Sequence, residues 1–428
     1  MLLYRFLSTI ALLAYAPYAL LRALAGRRKL GDVRGRLGSA SYPDLAGGVW
    51  IHAVSVGEVG VARNVLTAIG DRAPGHRLGL SVTTAAGRQL ALTLSSDRIP
   101  VFPFPFDLAR PVDRALDSVR PGLVLLTETE LWPLFLHRAA SRGIPVALVN
   151  GRLSARSHRR YRLIRAWIRP SLDRIAVFAM QSTTDAERIT ELGASPDRVS
   201  VTGNVKYDAP EAPAYPDAAR LRAAAQGRPL LVAASTAPGE EELVMKAWQS
   251  LVPRPMLALA PRRPERFDPV ASLIERAGFV VLRRSSPAEL APRIPDPSSI
   301  VYLLDSIGEL SSLYREAALA FIGGSLAAVG GHNPIEAWAA GVPVIVGPHT
   351  ENFRQVTADG EARGIACRVS GEPALRRELA RQLGTAEGLR ESGERARRFV
   401  AENRGATRRT VELLLPLLAP QERRRAAP

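Results

Sequence analysis

Short, continuous apolar runs recur along the chain, each followed by a turn-rich break and a stretch with helical spacing of apolar positions. Residues 48–54 read as a buried strand, 55–58 as a turn, and 59–69 as a helix. Further strands are expected at 78–82, 123–126, 145–149, 177–180 and 199–201. The pattern restarts at Pro229, with strands expected at 230–234, 256–260, 280–282, 301–304, 319–322 and 344–346. Strands that are apolar throughout, rather than alternating, are covered on both faces. Alternated with helices, they predict parallel, doubly wound α/β sheets. Between the two sets lies the proline-rich stretch Tyr207-Asp-Ala-Pro-Glu-Ala-Pro-Ala-Tyr-Pro216, a natural hinge. The expected architecture is therefore two Rossmann-like domains, at 31–206 and 221–428, joined by a linker at 207–220 and enclosing an interdomain cleft.

Length agrees with two domains: 428 residues are too many for one ordinary core. Charge adds a partner. The 57 Lys+Arg against 41 Asp+Glu give a net +16, which points to a polyanion. Cys367 is the one cysteine, so a disulfide framework and a cysteine metal cluster are both excluded. From Phe6 to Leu21 no residue is charged, although Pro17 interrupts the run. That run is short of the roughly 20 residues of a full span. It predicts a membrane-anchor helix within residues 1–30 that either crosses the bilayer marginally or lies in its interface. Arg22, Arg27, Arg28 and Lys29 follow directly, and the positive-inside bias is expected to keep the bulk of the protein on the cytoplasmic side of that membrane. A second basic stretch holds Arg152, Arg156, Arg159, Arg160, Arg162, Arg165, Arg169 and Arg174, interleaved with Leu163, Ile164, Trp167 and Ile168. It reads as a solvated helix or as a contact for phosphate groups or an anionic membrane surface. No nucleic-acid module accompanies it, so nucleic acid is not expected as a partner.

In doubly wound sheets ligands sit beyond the carboxyl ends of the strands, and the chemically notable residues fall there. Glu58, beside Gly57, is either a first-turn carboxylate favoured by the helix dipole or a base aimed into the site. Glu128 and Glu130 end the third expected strand, and Lys206 lies just before the hinge. In the second half, Pro261 and Arg262 follow a strand, Asp305-Ser-Ile-Gly-Glu309 follows another, and the glycine pairs at 323–324 and 330–331 lead into Asn333-Pro-Ile-Glu336. Asn333 reads as an N-cap and Pro334 as the first helical residue. Glu336 is then either a capping-box partner or an acceptor for ribose hydroxyls. The six histidines show no metal-ligand spacing, and no Asp-x-Asp pair, Walker loop or nucleophile elbow is present. Neither a metal nor a cofactor is expected.

Seven segments, taken in order, resemble the Kdo (3-deoxy-D-manno-octulosonic acid) transferases. They are Ile51-His-Ala-Val-Ser-Val-Gly-Glu58, Glu128-Thr-Glu-Leu-Trp132, Asn150-Gly-Arg-Leu-Ser-Ala-Arg-Ser157, Val201-Thr-Gly-Asn-Val-Lys206, Ala260-Pro-Arg262, Ile307-Gly-Glu-Leu310 and Gly330-Gly-His-Asn-Pro-Ile-Glu336. Ala237 departs from a histidine common in that family, and Ala337-Trp338 stands where a proline is usual. The resemblance implies the GT-B fold and transfer of Kdo from CMP-Kdo to a lipid A precursor in lipopolysaccharide biosynthesis. Carried across, Glu58 is the general base, and Glu128 and Lys206 stabilise the transition state. Pro261, Arg262, Ile307, Gly308, Glu309, Asn333, Pro334, Ile335 and Glu336 bind CMP. Alternatives are another GT-B transferase, a nucleotide-sugar epimerase, or a non-catalytic membrane-anchored polyanion binder. Carboxylates at strand ends speak against the last, because an anion binder gains nothing from them.

Overall fold

The structure, a computed structural model, describes residues 33–94, 99–286 and 297–418. The expected anchor within 1–30 lies outside the described residues. Among the described residues no helix is long and apolar enough to cross a membrane.

The chain forms two compact units, Pro210–Glu402 being one and the residues before and after it the other. The first unit holds a seven-stranded sheet of β1 (Val49–Ala53), β2 (Leu78–Val82), β3 (Val101–Pro103), β4 (Leu123–Thr127), β5 (Val146–Gly151), β6 (Ile175–Met180) and β7 (Val199–Val201). Their order across the sheet is β3-β2-β1-β4-β5-β6-β7, and each neighbouring pair is parallel. The second unit repeats the scheme with β8 (Leu230–Thr236), β9 (Met256–Pro261), β10 (Val280–Arg283), β11 (Ile300–Leu303), β12 (Leu319–Ile322), β13 (Val344–Val346) and β14 (Ala366–Arg368), in the order β10-β11-β9-β8-β12-β13-β14, again parallel throughout. β1, β2 and β4 are buried at every position, as uninterrupted apolar runs require. The winding reverses between β1 and β4 in the first unit and between β8 and β12 in the second. Those two crevices are where ligands of such sheets bind.

Three expectations need correction. The helix Ala406–Leu418 belongs to the first unit, not to a domain running from 221 to 428. Its Ala406, Val411 and Leu414 are buried with Val59, Val65 and Leu66 on one face of the first sheet. Its start is pinned by Asp208, whose carboxylate accepts hydrogen bonds from the Gly405 and Thr407 amides. The linker is also shorter than 207–220. Tyr215 is buried and shares a 2.6 Å hydroxyl hydrogen bond with Tyr302 on β11. Finally, β3 and β14, three-residue strands that each end a sheet, add to the expected set.

Candidate active site

Ser55 caps the helix Val56–Arg72, and Glu58 stands in its first turn. The side chain turns back towards the strand it follows. Glu58 Oε2 accepts from the Val54 amide at 2.8 Å and from Thr127 Oγ1 at 2.8 Å, and Oε1 accepts from Ser55 Oγ at 2.8 Å. Thr127 is the last residue of β4, and its single O–H lies 2.8 Å from the His52 carbonyl of β1 as well, which it can serve in alternation with Glu58, so the hydroxyl sits where the two strands meet at the crevice. Glu58 is only 7% exposed. Burial pushes its carboxyl above the ordinary range and the nearby Glu128 carboxylate adds to this, while the Val54, Thr127 and Ser55 donors hold it down in part.

Glu128 adopts a left-handed backbone, φ 54°, which a non-glycine residue holds only when its surroundings impose it. Its Oε1 lies 2.8 Å from Lys206 Nζ, and both side chains are largely covered. Lys206 also stands beside the Glu58 turn: a Cβ placed on Gly57 would lie 3.9 Å from Nζ. Glu58, Glu128 and Lys206, expected together, are therefore brought together. Glu130 joins them. Burial first, then the Glu58 and Glu128 carboxylates, raise its carboxyl to about 7.

Two contributors went unseen in the sequence. Thr127 reads there as one more strand-end polar residue. Asn150, fully buried at φ 53°, accepts the Val205 amide on Oδ1 at 3.0 Å. Asn204 then accepts the Lys206 amide at 3.0 Å. Two asparagines thus set the short turn that carries the lysine.

In the second unit the expected donor residues lie beyond β9, β11 and β12. Pro261 ends β9 and is buried. Arg262 is exposed and its amide bonds the Thr236 carbonyl of β8 at 3.1 Å. Its charge acts on His332, which burial and Arg262 together depress to about 4, so the β9 end and the 330–336 segment are neighbours. Glu309 is engaged bidentately by Arg284 at 2.9 Å on both oxygens, while Ile307 is exposed and Gly308 takes φ 93°. The last helix start is a residue later than expected: the helix is Ile335–Ala339, and Pro334 precedes it. Asn333 Oδ1 accepts the Ile335 amide at 3.1 Å, and Asn333 Nδ2 donates to Glu336 Oε1 at 3.1 Å. Pro334 and Ile335 are buried.

The basic stretch forms two helices, Ala155–Leu163 and Arg165–Leu172. Ile168 and Leu172 turn into the core, whereas Leu163, Ile164 and Trp167 are exposed at 86%, 48% and 60% beside exposed Arg159, Arg160, Arg162, Arg165 and Arg169. Tyr161, on the first of these helices, feels the Glu130 charge.

A cluster of this kind can take a proton from a hydroxyl and balance the charge that develops. Among the described residues, no group of three or more His, Cys, Asp or Glu is placed to hold a metal ion. Residues 29–209 match the family model of 3-deoxy-D-manno-octulosonic-acid transferases. A 3-deoxy-D-manno-octulosonic acid transferase of Haemophilus influenzae is 35% identical over 92% of this chain and 92% of its own length. One from Bordetella pertussis is 36% identical over 89% and 90%. By fold alone, the chain is similar to the UDP-GlcNAc 2-epimerase of Neisseria meningitidis, with a TM-score of 0.56 at 13% identity over 86% of this chain and 99% of that one.

Proposed function

The chain belongs to the 3-deoxy-D-manno-octulosonic acid transferase family, and from that premise we propose that it moves Kdo from CMP-Kdo to a lipid A precursor, with Glu58 as general base. The observation that carries this reading is the convergence of Glu58, Glu128 and Lys206 at the β1–β4 crevice. A sugar hydroxyl is a weak nucleophile, and a buried carboxylate with a raised pKa is a stronger base for its proton than an ordinary one. The proton neutralises Glu58 as it arrives, and Lys206 offsets the negative charge that develops in the transition state as the donor's anomeric bond breaks. Glu128 holds the lysine in place.

On this reading the donor binds the second unit. Arg262 is exposed at a strand end and free to meet the CMP phosphate, and Glu336, oriented by Asn333, accepts the ribose hydroxyls. Ile307, Gly308 and Glu309 contribute backbone and shape, since the Glu309 carboxylate is held by Arg284. The leaving group carries a single phosphate and is already a good anion, so cationic side chains suffice and the reaction is proposed to need no divalent metal.

The acceptor carries phosphates and acyl chains. The exposed arginines and the exposed Leu163, Ile164 and Trp167 match both parts of it. This supports work at the cytoplasmic face of the inner membrane, within lipopolysaccharide biosynthesis. Incubating the purified protein with CMP-Kdo and lipid A precursor, and weighing the lipid by mass spectrometry, tests the reading.

A further inference from the structure

The two units carry a glutamate at corresponding places, each opening the helix that follows the central strand of its sheet and facing the crevice where the winding reverses. Glu58 holds that place in the first unit and Glu240, which starts the helix Glu240–Gln249, in the second. Their surroundings differ. Glu240 is 1% exposed and accepts five backbone hydrogen bonds. Oε2 takes the Ala237 amide at 2.8 Å and the Gly324 amide at 2.6 Å. Oε1 takes Ser325 at 3.0 Å, Leu326 at 2.8 Å and Ala327 at 3.0 Å.

Four consecutive amides aimed at one anion form the kind of backbone nest that elsewhere receives a phosphate. Here the anion is internal. The glycine-rich turn after β12 is thus already occupied, and its amides are not offered to a nucleotide. Close backbone packing locks the arrangement. A Cβ on Gly323 would lie 2.6 Å from the Ser235 carbonyl oxygen, and Ser235 itself sits at φ 52°.

We propose that Glu240 is a positioning residue for the donor site, an internal anion that clamps the 323–327 turn and through it the segment bearing Asn333 and Glu336. The connection is direct. The Gly323 carbonyl accepts from the His332 amide at 3.2 Å and the Gly324 carbonyl from the Gly331 amide at 2.7 Å, one and two residues before Asn333. The phosphate must then be met by side chains, Arg262 first. This inference rests on the donor reading given above.

The test uses the full chain and calorimetric titration with CMP. Glu240→Gln keeps the shape but turns an amide NH2 towards backbone donors. It weakens CMP binding about 10- to 100-fold, as a misplaced site does, and raises the donor KM while leaving the acceptor KM in place. Glu240→Asp, which keeps the charge on a shorter arm, gives a smaller loss and remains available should the glutamine variant not fold. Asp217→Asn is the structural comparison: it breaks the hydrogen bonds of Asp217 to Arg220 and Tyr302, lowers the melting temperature and leaves CMP affinity alone. Unchanged CMP affinity in both Glu240 variants, with Arg262→Ala and Glu336→Gln weakened, overturns the positioning role. Unchanged affinity in Arg262→Ala and Glu336→Gln as well overturns the donor reading on which it stands.

Discussion

Lys206 Nζ stands 2.8 Å from Glu128 Oε1, an ion pair between residues 78 apart in the chain, with the lysine side chain 14% and the glutamate 24% exposed. A pair this covered is costly to break from one side, because the remaining charge loses its partner. Here it also stands beside the base.

Lys206→Met should therefore lower kcat by about 10²–10³-fold, the range for removing one charge-stabilising group. The measurement is steady-state transfer with saturating donor. Activity within threefold of the parent in a folded variant would mean that the lysine serves only the local structure.

Thr127→Val keeps volume and removes the 2.8 Å hydrogen bond to Glu58 Oε2. A donor to a carboxylate favours its charged form, so losing it raises a pKa that burial and Glu128 have already raised. The base must be ionised to act. The acid limb of the kcat/KM profile should thus move to higher pH. A limb that stays in place, or moves to lower pH, would separate Thr127 from the base.

Much of this site is legible in the sequence. Glu58, Glu128 and Lys206 lie at strand ends that continuous apolar runs mark out, and the sheet order then makes β1 and β4 neighbours. What the sequence could not convey is commitment. Nothing in the run Glu240-Glu-Glu242 marks two of its carboxylates for burial, yet Glu240 and Glu241 are buried and answered, the first by amides and the second by Thr236 and Arg266. Glu309 reads as an available carboxylate and is taken by Arg284. Asn150 reads as a loop residue, and only its left-handed backbone and the distant Val205 amide reveal its task. The return of the helix Ala406–Leu418 to the first unit is equally hidden, since an amphipathic helix does not say which sheet it covers.

Glu130 makes a stability prediction. Its pKa rises from 4.5 to about 7 on folding, so the folded protein holds the proton more tightly than the unfolded chain. Stability from this group is present below about 4.5 and is lost as pH climbs towards 7. Glu130→Gln mimics the protonated form. It should be more stable than the parent at pH 8, by on the order of 2 kcal/mol after allowing for partial solvent access, with the gap closing in acid. Denaturant melts at several pH values check this. A gap that widens in acid has the wrong sign.

The exposed basic and apolar face predicts salt-sensitive membrane binding. Replacing Trp167 with Ala and Arg159, Arg160 and Arg162 with Gln should reduce sedimentation with phosphatidylglycerol vesicles, by about 1 kcal/mol per arginine at low salt. The parent's binding should weaken as salt rises, because exposed charges are screened. Undiminished binding of the variant would remove this face from the membrane contact.

The most direct test compares the parent with Glu58→Gln on CMP-Kdo and lipid A precursor, following the lipid by mass spectrometry and CMP binding by calorimetry. The parent should add Kdo to the lipid. The variant should bind CMP as the parent does and transfer about 10²–10⁴-fold more slowly, the loss expected when a general base is removed. A lipid whose mass does not change with the parent, or a Glu58→Gln rate within threefold of the parent, would contradict the assignment.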